Sequence, residues 1–198
     1  MKFAKASLSN DTATVGSWLY GMQQRPGTND YWTSFPEKES LMPSRHVKSP
    51  ASNVKPEANG GRACVVVSNN PARRLPAESK PVAVNAKLKR LLFLHSAAWV
   101  NEKEKRPAGE YVVTYASGRR AVIPIIAGEN IGDWWGASAK KQSNCECAWS
   151  GMNRHSTVGV YLFEWSNPHP EDPIRDIVLK AKNHAVVGLV GLTGEREK

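Results

Sequence analysis

Apolar and polar positions alternate in short bursts along most of the chain, and the bursts begin in earnest near residue 62. Ala63–Val67 is a five-residue apolar run followed by a turn-like Ser68–Pro71, and Val82–Val84 reads as a brief strand. Glu110–Ala116 and Arg119–Ile126 flank Ser117-Gly118. Both arms are rich in β-branched and aromatic residues, which is the pattern of a β-hairpin. Pro124 has no N–H to give to a ladder, so its strand is placed at a sheet edge or a bulge. Thr157–Trp165, Ile174–Lys180 and Ala185–Leu192 read as further strands. The turn-forming Asn167–Pro173 follows the first, and Lys182-Asn183-His184 joins the last two.

Lys87–Val100 is long enough for a helix. Its company decides against one. Eight or nine short strands with no clear long helix define an all-β sandwich or jelly roll of two antiparallel sheets. Leu91–Ala98 then becomes a central strand, apolar on both faces. Residues 1–60 behave differently. They carry five prolines (Pro26, Pro36, Pro43, Pro50, Pro56) and little periodicity. Short strands are expected near Thr14–Tyr20 and Tyr31–Phe35, with the remainder wrapping the sandwich as long loops. The whole of 1–198 reads as one domain, with 1–60 as a loop-rich opening segment and 61–194 holding the main strands.

Composition changes this picture in three places. Seven Trp residues are many for 198 residues, and some are expected in the core and some on a contact surface. The net charge is +9, with Lys and Arg in excess over acids between residues 61 and 109. Basic chains meet nucleic acid, acidic glycans or anionic lipid, but charged strand edges and loops are the plainer reading. The basic residues are not interleaved with aromatics in one segment, so nucleic acid is an unlikely partner. No run of 18 apolar residues is present, so no membrane helix is expected, and the opening MKFAKASLSN lacks the apolar core of a secretory signal. Three cysteines do not make a disulfide framework. Cys145-x-Cys147 is too sparse for a zinc knuckle and reads as two small, partly buried thiols.

Five blocks of residues together resemble a known family: LLFLHSAAW (Leu91–Trp99), GEYVVTYASGRRAVIPI (Gly109–Ile125), GENIGDWW (Gly128–Trp135), VGVYLFEWSNPHPEDPIRDIVL (Val158–Leu179) and VVGLVGLTG (Val186–Gly194). Their order resembles the galactose-binding-like β-sandwich domains of large bacterial polysaccharide-degrading proteins, where such domains sit beside catalytic domains. The resemblance implies a jelly-roll accessory module that binds polysaccharide or oligosaccharide, an acidic glycan included, or packs on a catalytic neighbour in a longer chain. A secreted or cell-surface setting would follow from such a parent. Related sandwiches carry a structural calcium held by backbone carbonyls and one or two acids. No D-x-D-x-D loop marks one here, so calcium stays open and no other cofactor is expected.

Candidate ligand residues follow from the chemistry of sugar recognition, in which aromatic faces stack on C–H patches and polar groups fix hydroxyls. Trp134 and Trp135, with Asp133 and Asn130, offer both parts in a Gly-flanked loop, or else they cover the sandwich edge. Tyr31 and Trp32 repeat the pattern in the N-terminal part, as contacts or as a plug that pins a loop. Arg154 and His155 could grip hydroxyls, a uronate or a sulfate. Trp165, Trp99 and Trp149 are expected in the core, as is His95. No catalytic motif occurs. A small polysaccharide-active enzyme would need two carboxylates about 5–10 Å apart, which spacing along a chain does not reveal. The expectation is therefore a non-catalytic module.

Overall fold

The computed structural model describes residues 3–5 (backbone only), 65–73, 75–137, 142–152 and 157–196, without the side chains of residues 149, 151 and 152. Among them are ten strands: β1 (Phe3–Lys5), β2 (Val65–Ser68), β3 (Val82–Ala86), β4 (Arg90–Ala98), β5 (Pro107–Tyr115), β6 (Arg120–Ile126), β7 (Glu146–Met152), β8 (Thr157–Ser166), β9 (Ile174–Ala181) and β10 (Val186–Glu195). The helical content in these residues is a single 3-10 turn, Pro71–Arg73. The expected regions Thr14–Tyr20 and Tyr31–Phe35 lie outside the described residues.

The strands form two antiparallel sheets. One has the order β1-β10-β4-β8-β7, with β2 also on β10, and the other has the order β3-β9-β5-β6. The expected hairpin is β5–β6, closed at Gly118 with φ of 89°. Pro124 sits where its missing N–H does least harm, on the border strand β6. The β9–β10 connection turns on Asn183 (φ 50°) and His184 (φ 61°), both left-handed, and the Ala185 N–H reaches the Lys182 carbonyl at 3.1 Å. Two consecutive left-handed residues are what a tight hairpin needs to match strand twist.

The inner core follows from period-2 alternation. Leu91, Phe93 and Ala97 on β4, Tyr161 and Phe163 on β8, Tyr111, Val113 and Tyr115 on β5, and Ile177 and Leu179 on β9 meet between the sheets. His95 lies in the same row, fully buried, stacked on Phe163 (6.1 Å between ring centres) and Tyr111 (5.9 Å). This agrees with its expected core role. On β10, Val187 and Leu189 face inward. A register shift between Leu189 and Gly191 then returns Leu192 to the same side. Cys145 and Cys147 are free thiols, the first buried in this core and the second partly buried against it. Burial, first, pushes the Cys145 thiol up to about 12. Trp165 is partly buried against the core. Trp99 corrects an expectation: it is 38 % exposed, because β4 ends at Ala98 and the chain leaves the sheet in a left-handed turn.

The two ends of the sandwich are built differently. The first holds the β3–β4, β5–β6 and β8–β9 connections. There Asn167 ties three segments: its Oδ1 accepts from Tyr115 Oη (2.6 Å) and the His169 N–H (3.0 Å), and its Nδ2 donates to the Leu88 carbonyl (2.7 Å). The second end holds the loops around Trp99 and Asp133.

Candidate functional site

At the second end, residues 131–135 lie across the ends of β4 and β8 like a short added strand. The Ala97 N–H donates to the Gly132 carbonyl (3.1 Å), Trp134 N–H to the Ala97 carbonyl (2.6 Å), and Gly159 N–H to the Trp134 carbonyl (3.1 Å). Two glycines make the approach feasible. A Cβ on Gly128, whose φ is 77°, would run into the Glu102 carbonyl, and a Cβ on Gly132 would run into the Tyr161 ring.

Each candidate from the loop is engaged within the fold. Asn130 is buried. Its Oδ1 accepts from the Ile126 N–H (2.7 Å), its Nδ2 donates to the Pro124 carbonyl (2.8 Å), and its own carbonyl accepts from His95 Nε2 (2.8 Å). The carbonyl can only accept, so His95 carries its proton on Nε2 and Nδ1 accepts from Tyr111 Oη at 2.9 Å. Burial pushes His95 down to about 4, against a weaker opposite pull from the Asn130 bond, so at neutral pH the ring is uncharged.

Asp133 is the hub of the loops. Its Oδ1 accepts from the Trp135 N–H (2.8 Å) and its Oδ2 from the Val100 N–H (2.9 Å). Its own N–H donates to Glu102 Oε1 (2.8 Å), and its carbonyl accepts from Tyr161 Oη (3.1 Å). Burial is the main force raising its carboxyl to about 6. The Glu102 charge adds to the rise, and the bonds from Trp135, Val100 and Trp99 oppose it.

Trp134 is 1 % exposed and belongs to a second apolar cluster on the outward face of the six-stranded sheet, and Trp135 is partly buried against that same cluster. The Trp134 ring therefore has no solvent-facing side. The geometry brings Asn130, Asp133, Trp134 and Trp135 together, as their spacing suggested. Tyr31, Trp32, Arg154 and His155 lie outside the described residues.

Reading the sequence missed Trp99. Its φ is 59°, a region few bulky residues enter, and the Arg73 guanidinium carbon stands 3.8 Å from its ring centre. The Asp133 carboxylate holds the next N–H, at Val100, so the exposed indole projects from a fixed backbone rather than a loose tip. The one available signal was its place, immediately after an apolar strand and before the polar turn Asn101–Arg106. Among the described residues no group of three or more metal-ligating side chains comes together.

The architecture defines a two-sheet antiparallel β-sandwich protein with an aromatic residue exposed at one end. Comparison with protein-family models and with curated proteins finds no match to the chain.

Proposed function

We propose that this chain is a non-catalytic carbohydrate-binding accessory module of the galactose-binding-like, jelly-roll kind, and that it meets its glycan at the Trp99 end. The observation that carries this reading is the exposed Trp99 indole, held in a left-handed conformation by a backbone that Asp133 pins. Strained residues are kept where surrounding structure over-determines them, and such places are enriched in binding sites. A flat apolar ring beside fixed polar groups suits the C–H face of a sugar. Affinity electrophoresis through gels containing neutral, uronic or sulfated polysaccharides tests it. One glycan class should retard the protein, and Trp99→Ala should abolish the retardation while leaving the melting temperature nearly unchanged. Equal mobility in every gel would sink the reading.

A second reading is a packing module that docks on a catalytic neighbour without binding sugar. Val122 favours it, at 57 % exposed on the border strand β6. Loss of all glycan retardation, with tight association to such a neighbour that Val122→Asp weakens, would select it.

A further inference from the structure

The outward face of the four-stranded sheet is open, and its side chains fall in rows that cross all four strands. Val122, Val112 and Val178 stand opposite one another in the β6–β5 and β5–β9 ladders. Pro81, one residue before the Val82–Ile177 pair, continues that row at β3. Val122 and Pro81 are exposed at its two ends, and Val112 and Val178 are partly exposed between them. One pleat to one side lie Pro124, Glu110, Lys180 and Glu78, in the same strand order. One pleat to the other side lie Arg120, Thr114, Asp176 and Ala83. The charges of this face are nearly in balance, with Arg120, Arg175, Lys180 and Lys182 against Glu78, Glu110 and Asp176, in a chain whose net charge is +9. Ion pairs hold most of them in place: Lys180 with Glu78 (2.8 Å), Arg175 with Asp176 (2.7 Å) and Lys182 with Glu110.

We propose that this face is the interface of a two-fold homodimer, with the axis parallel to the strands and midway between β5 and β9. Sheets packed face to face keep their strands roughly aligned, about 10 Å apart. A two-fold interface must be complementary to itself. About that axis each row meets its own reverse, and the reversed order fits. Val112 of one copy meets Val178 of the other, and Val122 meets Pro81, so the apolar row closes on itself. Glu110 meets Lys180, twice. In the remaining positions a charged residue meets a neutral one: Asp176 meets Thr114, Glu78 meets Pro124 and Arg120 meets Ala83. No like charges are opposed within these rows. A chain of high net charge repels its own copies, and the near balance on this face removes that obstacle locally. A partner of another kind would have no need of rows that read correctly in reverse. Four strands about 4.8 Å apart and three rows about 7 Å apart give roughly 400 Å² on each copy, half of the ~800 Å² that stable complexes bury per partner. The dimer is therefore weak and reversible. The inference is independent of glycan binding at Trp99, and it puts a second copy where the packing reading puts a catalytic neighbour.

The test is sedimentation of the full chain between about 10 µM and about 1 mM. The average mass should rise toward that of a dimer and fall again on dilution. Val122→Asp should weaken the association at least about tenfold. Glu110→Lys and Lys180→Glu should each be monomeric alone, because like charges then oppose one another at both contacts. Their equimolar mixture should associate as the parent does, because each copy again meets opposite charges. Melting temperatures verify that the variants fold, and Val122→Asp, at an exposed position outside the ion pairs, keeps the test decisive if a charge variant does not. A parent that stays monomeric at the top of the range, a dimer indifferent to Val122→Asp, or a mixture no more associated than its components would each overturn the proposal.

Discussion

The two ends of the sandwich solve the same problem with different chemistry. Each must tie loops from both sheets together where the ladders stop. At one end the tie is Asn167, a neutral carboxamide bonded to Tyr115, Leu88 and His169. At the other the ties are Asp133 and His95, two titratable groups held far from their ordinary values. A carboxamide makes a knot whose strength is indifferent to pH. A buried carboxyl and a buried imidazole make one whose strength depends on it, and Trp99 is presented at that end.

The sharpest contrast within the second end lies between its tryptophans. Trp134→Ala should cost about 3–5 kcal/mol of stability, because it empties a fully enclosed site, read as a shift of the denaturant midpoint. Trp99→Ala should cost less than about 1 kcal/mol, since much of that ring already faces solvent. Equal costs would mean that Trp99 is a structural residue, and would weaken its assignment as a contact.

The next test separates the ties by pH. Asp133 is ordinarily near 3.8 and sits at about 6 in the fold, so the folded chain holds a proton that the unfolded chain has released. Its contribution is present below 3.8 and is lost as pH rises through about 6. His95 is ordinarily near 6.5 and falls to about 4. Its contribution is present above 6.5 and is lost as pH falls toward 4. Each is worth on the order of 2–3 kcal/mol, and the windows overlap with opposite sign. The parent protein should therefore show a nearly flat stability between pH 4 and 6.5. His95→Gln should tilt the profile so that stability falls as pH rises, and Asp133→Asn should tilt it the other way. Chemical denaturation across that range reads both slopes, and two flat variants would refute the assignment.

Asn167→Ala should destabilise by about 2–3 kcal/mol to the same extent at pH 5 and pH 8. A pH-dependent loss would erase the distinction between the ends. The last effect is local. Gly132→Ala forces the Tyr161 ring to move and should cost about 1–3 kcal/mol. It should also raise amide exchange at Val100 and Trp135 before it lowers the global stability.

Much of the strand plan was legible from residues. The β5–β6 hairpin, the buried strand at Leu91–Ala98 and the final pair of strands rest on period and turn chemistry, which are local. Other features depend on contacts remote in sequence. Trp134 and Trp135 read as contact or cover while only their neighbours were known, and the burial of Trp134 depends on the outward face of the six-stranded sheet, whose strands are remote in sequence. Trp99 read as core because it follows eight mostly apolar residues. The left-handed turn that expels it is fixed by Asp133, thirty-four positions on. Asn130 looked like a sugar ligand for the same reason that it works as a tie, a carboxamide with one donor side and one acceptor side.

That carboxamide has a consequence for how molecules of this protein meet one another. β6 is the border of its sheet, and a bare border invites a second copy to add its own strand. Here Pro124 has no N–H to offer, while the Pro124 carbonyl and the Ile126 N–H are both already taken by Asn130. The Ile126 carbonyl accepts from the Glu129 and Asn130 N–H groups (3.1 and 3.2 Å), so an incoming strand would find every outward backbone group of Pro124 and Ile126 missing or already bonded. At Pro124–Ile126 the border of the four-stranded sheet is thus a poor template for a strand from a second molecule.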